Sequence, residues 1–366
     1  MLFSPFRCRG LTLRNRIVMA PMTRECSPGG VPDDAVAAYY RRRAAGGTGL
    51  IVTEGSPPVP EGSFGACVPR FYGDDAFRGW ARVVAGVHAE GAAIMAQLWH
   101  VGAFEPSSIG MQDTHAAPRV RLSPSGLAAP GLPLGRAMTP HDIDTTIAAY
   151  GAAVAAARRI GFDGVEIHGA HGYLPDQFLW AGTNRRDDAY GGDLRRRSRF
   201  AVELVRECRR CAGDDLAVSF RLSQWKQLDY AARIAATPAE LAQIVEPLAD
   251  AGVDLFHCST RRYWEPAFEG SERGLADWVR QLSGKPTIAV GSVTLGNDFK
   301  SAQGKQQAAP APEQIEDLER RLAAGEFDLV AVGRALLANP DWVKLVESGR
   351  AAALQPFSRA NLDTLA

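Results

Sequence analysis

The stretch that decides the fold spans residues 161–192 and reads GFDGVEIHGAHGYLPDQFLWAGTNRRDDAYGG. It opens with the apolar run DGVEI, which contains β-branched residues and has a glycine on either side, so it predicts a buried strand. His168, His171 and Tyr173 follow where that strand must turn into a loop. Proteins with alternating strands and helices keep their catalytic residues at such strand ends. Because two imidazoles and a phenol can donate hydrogen bonds to an oxyanion and supply a proton, we interpret this point as an active site.

Two other interpretations of these three residues exist. Any one of them, taken singly, is more often a structural group with satisfied hydrogen bonds, but three together after one strand favour a site. His168 and His171 also resemble a metal-binding pair, yet no third ligand follows at a suitable spacing. We therefore expect no metal here.

Seven more short apolar runs complete a regular pattern along the chain. The predicted strands are residues 17–20, 49–53, 93–98, 163–167, 216–222, 253–258, 286–290 and 327–332. Helical patterns lie between them at residues 33–47, 75–90, 139–159, 194–211, 237–251, 275–282 and 313–324, and a last helical segment passes through Pro340 and Trp342. Eight strands, each followed by a helix, predict an α/β fold of the (β/α)₈ or TIM-barrel type. A doubly wound sheet is disfavoured, because no Gly-rich loop follows the first strand.

The predicted barrel forms one domain over residues 1–366, and we see no domain boundary. Residues 101–138, after the third strand, are rich in Pro, Gly and Ser and predict a long functional loop, often a lid. Residues 300–312 are polar and low in complexity, which predicts a surface loop.

The composition limits the classes of partner. Of 366 residues, 46% are hydrophobic and 22% charged, and the formal net charge is +0, which gives no electrostatic reason for binding nucleic acid or an anionic membrane. No run reaches the ~18 apolar residues that span a bilayer, and no signal peptide opens the chain. The 6 cysteines are scattered, so we expect a reducing, cytoplasmic location. The oligomeric state is left open, and a homo-oligomer is compatible with the sequence.

Residues that follow the predicted strands should meet at one end of the barrel. Gly291 and Gly333 come after the last two strands, where this fold often binds phosphate, and Arg334 adds a fixed positive charge. A phosphorylated cofactor or substrate is therefore expected. Arg221 ends an apolar strand, so it needs an anionic protein group or an electron-rich ligand atom as its partner. Gln97 offers a donor and an acceptor, which suits the uracil-like edge of a flavin.

The sequence GVEIHGAHGYLPDQFL, followed by TNRRDDAYGGDLRRRSRF, resembles the signature of the old yellow enzyme family, the FMN-dependent ene-reductases. The resemblance covers nearly the whole predicted barrel. It implies a non-covalent FMN, NAD(P)H as the electron donor and a small α,β-unsaturated carbonyl or nitro compound as the substrate. The implied reaction is a ping-pong hydride transfer through flavin N5.

The resemblance also implies roles for individual residues. His168 and His171 match the pair that binds the substrate oxygen, Tyr173 matches the proton donor, and Trp99 faces the substrate pocket. The positions implied to hold FMN are Pro21, Met22, Thr23, Gly55, Gln97, Arg221, Gly291, Ser292, Gly333 and Arg334. Two aromatic-rich segments, SQWKQLDY at residues 223–230 and CSTRRYWEP at residues 258–266, receive no role.

Other hypotheses differ in the cofactor. A flavin-free barrel lyase or isomerase could hold a phosphorylated substrate at Gly291 and Arg334, but it leaves Gln97 and Arg221 without a role. A barrel that binds without turnover fits the many convergent polar groups less well. Larger relatives with an iron–sulfur cluster and further domains are disfavoured, because the chain ends at Ala366 without a cysteine cluster. The sequence does not indicate the natural substrate or a preference between NADH and NADPH.

Overall fold

A computed structural model describes residues 1–109, 112–114, 119–298 and 307–366. It contains a closed barrel of eight parallel strands, which confirms the predicted fold class. Each strand pairs with the next one along the chain, and the last pairs with the first through Val330 and Ile17. The strands are β1 (Ile17–Met19), β2 (Leu50–Val52), β3 (Ala93–Leu98), β4 (Gly164–His168), β5 (Ala217–Ser223), β6 (Leu255–Ser259), β7 (Thr287–Val290) and β8 (Leu329–Val332).

Helices surround this barrel, as the sequence pattern predicts. The longer ones are α1 (Asp34–Ala45), α2 (Asp74–Ala89), α3 (Pro140–Ile160), α4 (Arg199–Ala212), α5 (Pro238–Ala251), α6 (Leu275–Ser283) and α7 (Gln314–Ala323). Shorter helices are Leu174–Leu179, Leu194–Arg197, Arg334–Ala338 and Trp342–Glu347, and 3₁₀ turns are Pro28–Gly30, Pro60–Gly62, Pro106–Ile109, Ala351–Ala353 and Arg359–Leu362. Across the described ranges, no helix combines the length and the apolar character needed to cross a membrane.

The connection between β4 and β5 differs from the prediction. One helix over residues 194–211 was expected, whereas the structure has three, with a first short helix at Leu174–Leu179 and a break near Ser198. All six side chains of Leu174–Leu179 are buried. The segment therefore lacks the polar face that makes an amphipathic helix recognisable from sequence.

The ends of α3 follow from local sequence chemistry. The Thr139 hydroxyl accepts from the backbone N–H of Asp142, whose carboxylate accepts from the backbone N–H of Thr139, and Pro140 occupies the first helical position. Such a reciprocal cap satisfies backbone donors that have no partner within the helix. At the other end, Gly161 adopts φ of 98°, a left-handed conformation that glycine adopts without steric cost, and this turns the chain into β4.

Small strand pairs lie within the two segments that the sequence predicts as loops. In the segment after β3, Leu122–Ser123 pairs with Arg136–Ala137 and Leu127–Ala129 pairs with Leu132–Pro133, while residues 110–111 and 115–118 lie outside the described residues. In the segment after β7, residues 300–306 also lie outside them, and Gln307–Ala308 pairs with Phe357–Ser358. Pairs this short give no two-residue periodicity that a sequence reading could detect.

The interior of the barrel is apolar at the end where the strands begin. Its side chains form one buried cluster that includes Val18, Leu50, Met95, Leu255 and Leu329. An antiparallel hairpin formed by Phe6–Cys8 and Leu11–Leu13 precedes β1, and its Phe6, Leu11 and Leu13 belong to the same cluster. This hairpin therefore closes the amino-terminal end of the barrel and leaves the opposite end for polar groups.

We expect Leu11→Ala to lower the free energy of unfolding by about 3 kcal/mol, because it opens a cavity in this cluster. Leu11 is 1% exposed. Its neighbour Thr12 is exposed on the same strand, so Thr12→Ala is a matched control that should change stability by less than about 0.5 kcal/mol. Urea unfolding of the two variants tests this, and equal stabilities would show that the hairpin does not fill the barrel.

Candidate active site

Polar side chains fill the barrel interior toward the ends of the strands. Successive side chains of a strand point to opposite faces, so every second residue points inward. In β3 to β6 these inward positions change from apolar to polar along the strand, and the buried polar residues there are Gln97, Glu166, His168, Ser219, Arg221, Ser223, His257 and Ser259. The strand register places Glu166 beside both Gln97 and Ser219, and Arg221 beside His257.

The three residues singled out after β4 come together with two aromatic rings. The ring of His168 lies 5.0 Å from that of His171 and 5.0 Å from that of Tyr173, between centroids. Trp99, from the end of β3, and Phe104 each lie 5.1 Å from the ring of Tyr173. The structure thus brings two imidazoles and a phenol together with two aromatic side chains in one cluster. Phe104 was not singled out from the sequence.

The backbone at His171 has an uncommon conformation. Its φ is 68°, in the left-handed region, which His adopts more often than most residues other than glycine. Two contacts from β5 and the loop after it hold this conformation. The Ser223 hydroxyl accepts from the His171 N–H at 2.9 Å, and the His171 carbonyl accepts from the Gln227 N–H at 3.0 Å. The imidazole is therefore oriented by a neighbouring strand as well as by its own loop.

Hydrogen bonds indicate which ring nitrogens carry hydrogen. His168 Nδ1 accepts from the backbone N–H of Ala170 at 3.4 Å, which leaves the hydrogen on Nε2. His171 Nε2 lies 2.8 Å from Ser259 Oγ, and this oxygen also accepts from Arg221 Nη2 at 3.4 Å. Because arginine can only donate, the serine hydroxyl hydrogen is available for His171, which favours hydrogen on His171 Nδ1.

Burial sets the charge of the catalytic candidates. It lowers the pKa of both His168 and His171 well below the ordinary value, and Arg221 acts in the same direction, so both rings are neutral donors near pH 7. Burial raises the pKa of Tyr173, which Arg221 opposes only in part. The phenol therefore keeps its proton at neutral pH, as a proton donor must.

A buried carboxylate lies at the centre of the polar layer. Glu166 is 0% exposed and accepts from Gln97 Nε2 at 2.8 Å and from the Ser219 hydroxyl at 3.2 Å, and it pairs with His257 Nδ1 at 2.8 Å. Burial alone would raise its pKa, but His257 and Arg221 outweigh burial and hold the pKa below the usual range. Because Gln97 Nε2 donates to Glu166, the side-chain oxygen of Gln97 faces away from that carboxylate.

Glu166 and His257 were missed from the sequence, although both leave a signal there. Each is a polar residue within an otherwise apolar strand, in GVEIH and LFHCS. In each strand a second polar residue lies two positions further on and also points inward: His168 after Glu166, and Ser259 after His257. A buried polar residue must have a hydrogen-bond partner, so two inward-pointing polar residues in one strand could have indicated the hydrogen bonds around Glu166.

Arg221 lies on the same inner face and is 7% exposed. Burial lowers its pKa, and the charge of Glu166 raises it in part. Among the described residues, its Nε has no hydrogen-bond partner. A guanidinium edge buried without an acceptor is costly, so it indicates a ligand atom that would accept from it.

The residues predicted to bind phosphate also lie together. Ser292 Oγ and Arg334 Nη2 both donate to the Asn297 carbonyl, at 3.2 and 2.7 Å, so the ends of β7 and β8 meet there. Gly291 and Ser292 have φ of 149° and 50°. At Gly333, a Cβ would meet nothing nearer than Met22 Sδ at 3.6 Å, so the backbone is open to a close approach. Asn297 was not singled out from the sequence.

The remaining predicted cofactor residues lie at the ends of β1 and β2. Pro21, Met22 and Thr23 follow β1 after Ala20 and are half-buried. The Glu54 carboxylate accepts from the backbone N–H groups of Arg24 and Glu25 at 2.8 and 3.1 Å, which ties this loop to the end of β2.

Gly55, next to Glu54, packs against the indole of Trp99. A Cβ at this position would lie 2.7 Å from the Trp99 ring, closer than any real contact. A glycine is therefore required for the ends of β2 and β3 to approach each other, and it fixes the indole at the edge of the pocket.

Comparison with known proteins identifies the family. Residues 1–310 match the model of the NADH:flavin oxidoreductase / NADH oxidase family. The chain is 33% identical to 12-oxophytodienoate reductase 7 of Oryza sativa subsp. japonica, over 94% of this chain and 86% of that protein. The solved structure of the old yellow enzyme homologue from Zymomonas mobilis aligns with a TM-score of 0.80 and 26% identity, covering 99% of this chain and 96% of the other.

The chain belongs to the old yellow enzyme family. It is also 34% identical to the NADH oxidase of Thermoanaerobacter brockii over 99% of its own length. It spans only about half of that protein, 53%, so the activity of the whole relative is not carried over. The old yellow enzymes are FMN-dependent NAD(P)H oxidoreductases, and this chain shares that class.

The residues present fit an FMN. Arg221 offers a buried donor without a partner among the described residues, and the open backbone at Gly333 lies beside Arg334, a cation suited to a phosphate. The side-chain amide of Gln97 is held by its hydrogen bond to Glu166. FMN offers acceptor atoms on its ring and on its phosphate, and these residues include donors suited to each.

We expect Glu166→Gln to lower the free energy of unfolding at pH 7 by about 2 kcal/mol, because it weakens the buried bonds to His257 and Gln97. A carboxylate whose folded pKa is depressed stabilises the fold above its unfolded pKa of about 4.3, and that contribution is lost as the pH falls. The difference from wild type should therefore shrink toward pH 3.

Urea unfolding at several pH values tests this expectation. Glu246 is exposed on α5, so Glu246→Gln serves as the matched control and should lie within about 0.5 kcal/mol of wild type. A difference for Glu166→Gln that stays constant from pH 7 to pH 3 would contradict a depressed pKa.

Proposed function

We propose that this old yellow enzyme is an ene-reductase, which uses NAD(P)H to reduce the C=C bond of small α,β-unsaturated carbonyl or nitro compounds. The observation that carries the proposal is the gathering of His168, His171 and Tyr173 in one aromatic cluster near Arg221. Such a cluster supplies donors for an electron-withdrawing oxygen and an acid for a carbon.

The proposed FMN site lies at the C-terminal ends of the barrel strands and has a ring-binding part and a phosphate-binding part. Pro21, Met22, Thr23, Gly55, Gln97 and Arg221 would hold the ring, and Gly291, Ser292, Gly333 and Arg334 would hold the phosphate. When bound there, FMN would supply the hydride-transfer chemistry between NAD(P)H and the β-carbon of the alkene. Arg221 would then place its buried positive charge, held beside Glu166, against the electron-rich edge of the ring.

The two histidines would act on the substrate oxygen. His168 can donate from Nε2 and His171 from Nδ1, and burial keeps both as neutral imidazoles near pH 7. Two neutral donors polarise the alkene without the desolvation cost of a buried cation. They stabilise the negative charge that develops on the oxygen, and the fixed backbone of His171 keeps its ring in place.

Tyr173 would deliver the proton to the α-carbon. Its phenol stays protonated because burial raises its pKa, and Trp99 and Phe104 keep water away from it. Trp99 would also form the wall against which a planar substrate packs.

Family membership argues against the flavin-free lyase or isomerase. That hypothesis also leaves the buried Arg221 Nε without an acceptor. A cytoplasmic location, a homo-oligomer and a single domain over residues 1–366 stay predictions.

The visible absorption spectrum of the purified protein tests the proposal. We expect a flavin band that bleaches with NAD(P)H under anaerobic conditions and returns when cyclohexenone is added. A flavin band that bleaches but does not return with any enone or nitroalkene would contradict the proposed substrate class, although the family assignment would stand.

We expect Tyr173→Phe to slow reoxidation of the reduced enzyme by cyclohexenone by about 100-fold, since it removes a general acid. Reduction by NAD(P)H should be unchanged, because no carbon is protonated in that half-reaction. Stopped-flow measurement of the two half-reactions separates them. An equal loss in both would contradict the role of Tyr173.

A further inference from the structure

A fully buried ion pair lies next to the segment that contains His171 and Tyr173. Lys226 Nζ lies 2.7 Å from Asp176 Oδ1, and the two side chains are 1% and 0% exposed. Lys226 belongs to the loop after β5, whereas Asp176 belongs to the short helix Leu174–Leu179 that follows β4. The pair therefore joins the segments that follow two neighbouring strands of the barrel.

The second oxygen of this carboxylate binds the turn between the two site residues. Asp176 Oδ2 accepts from the backbone N–H of Gly172 at 2.6 Å. His171 and Gly172 have φ of 68° and 83°, so two consecutive residues lie in the left-handed region. A histidine in this conformation is strained, and it persists only where the surrounding structure holds it. The carboxylate supplies such a contact at the middle of the turn.

The loop that contains Lys226 holds the same peptide group from its other side. His171 and Lys226 form a parallel β-bridge, in which the backbone N–H of Gln227 donates to the His171 carbonyl at 3.0 Å. The His171 carbonyl and the Gly172 N–H belong to one planar peptide group. Because both of its polar atoms are bound, this peptide group cannot rotate freely. Its rotation would change the direction of Tyr173 relative to His171.

Stability alone does not explain why this position is charged. Removing two ions from water is costly, and apolar side chains of similar size often replace a buried ion pair without loss of stability. A carboxylate, however, accepts a hydrogen bond roughly twice as strong as one to a neutral acceptor. Burial raises the pKa of Asp176, and Lys226 opposes that effect. The lysine therefore favours the charged form of the group that binds the turn.

We propose that Asp176 and Lys226 are positioning residues for the proposed ene-reduction. The carboxylate fixes the peptide group between His171 and Gly172, which sets the imidazole and the Tyr173 phenol in their relative positions, and Lys226 holds the carboxylate. Both residues act through the turn and not on the substrate itself. The inference rests on the proposed function, in which His171 binds the substrate oxygen and Tyr173 donates the proton.

Two double variants of the holoenzyme separate the hydrogen bond from the ion pair. The apolar variant, Asp176→Leu with Lys226→Met, removes both charges and the acceptor but keeps the approximate size of the side chains. The amide variant, Asp176→Asn with Lys226→Met, also removes both charges, but its side-chain oxygen can still accept from the Gly172 N–H. Reoxidation of the reduced enzyme by cyclohexenone should slow about 10-fold or more in the apolar variant, because a small displacement of site residues is costly. The amide variant should stay within about threefold of wild type.

Two further measurements distinguish positioning from a general structural role. Ferricyanide takes electrons from the reduced enzyme and needs neither a bound carbonyl oxygen nor a proton on carbon, so its rate should match wild type in both variants. Hydrogen exchange at the Gly172 amide, measured without substrate, should be faster in the apolar variant than in the amide variant.

An exposed ion pair provides the matched control. Asp34 and Arg82 lie 3.1 Å apart between α1 and α2, away from the ends of β4 and β5. Asp34→Leu with Arg82→Met removes both charges in the same way as the apolar variant. It should match wild type in every rate, because an exposed pair contributes little.

The outcomes separate this inference from the proposed function. If the apolar variant keeps the wild-type enone rate, or if the amide variant is equally slow, the inference is overturned and the proposed function stands. If the apolar variant slows the ferricyanide and enone reactions equally, or if Gly172 exchanges equally in both variants, the inference is also overturned. A wild-type enzyme that no enone or nitroalkene reoxidises would contradict the proposed function, and the inference would fall with it.

A single variant decides if the apolar variant fails to fold. Asp176→Glu keeps the ion pair but displaces the carboxylate oxygen from the Gly172 N–H, so it should slow the enone reaction and leave the ferricyanide reaction unchanged. A wild-type enone rate in Asp176→Glu would overturn the inference.

Discussion

Every second side chain of a closed parallel barrel must fit inside it, and the rest of this structure depends on that constraint. In β2, β3 and β8 the inward residues near the strand starts are apolar and form one cluster with the N-terminal hairpin. Further along the strands, the same alternation places Gln97 of β3, Glu166 of β4 and Arg221 of β5 inside. A position that is buried by geometry cannot leave a polar group unpaired, so each of these residues must find a partner across the barrel.

The partners form one electrostatic unit. Glu166 would be costly to bury alone, as would Arg221, but each offsets the desolvation of the other, and His257 and Gln97 donate to the carboxylate. The layer is not complete in itself, because Arg221 Nε has no partner among the described residues. His257 Nε2 also has no partner among the described residues, so this layer is suited to a ligand. These unpaired nitrogens are the physical basis for our proposal that the flavin ring binds here.

Beyond this layer, the positions of the site side chains are fixed by contacts between neighbouring strand ends rather than by any one loop. His171 is held in a left-handed backbone conformation by Ser223 of β5, and its ring by Trp225. Gly55 allows the end of β2 to approach Trp99. Side chains held in this way lose little freedom when a ligand binds, as the proposed chemistry on small molecules requires.

By itself, the sequence determined the order of strands and helices, because apolar periodicity and caps such as Thr139–Pro140 act over a few neighbouring residues. It also singled out His168, His171 and Tyr173 as candidates, because they lie within one short segment, and the family resemblance implied the expected flavin ligands. Only the tertiary structure decided which side chains touch. Glu166 meets His257, 91 residues away, and Lys226 meets Asp176, 50 residues away, because the closed barrel brings their strands together. The segment SQWKQLDY had no assignable role from sequence, because its residues contact the segment that follows β4, and these contacts form only in the folded chain. Hydrogen bonds between distant residues leave no periodic pattern, so they appear only when the barrel is closed.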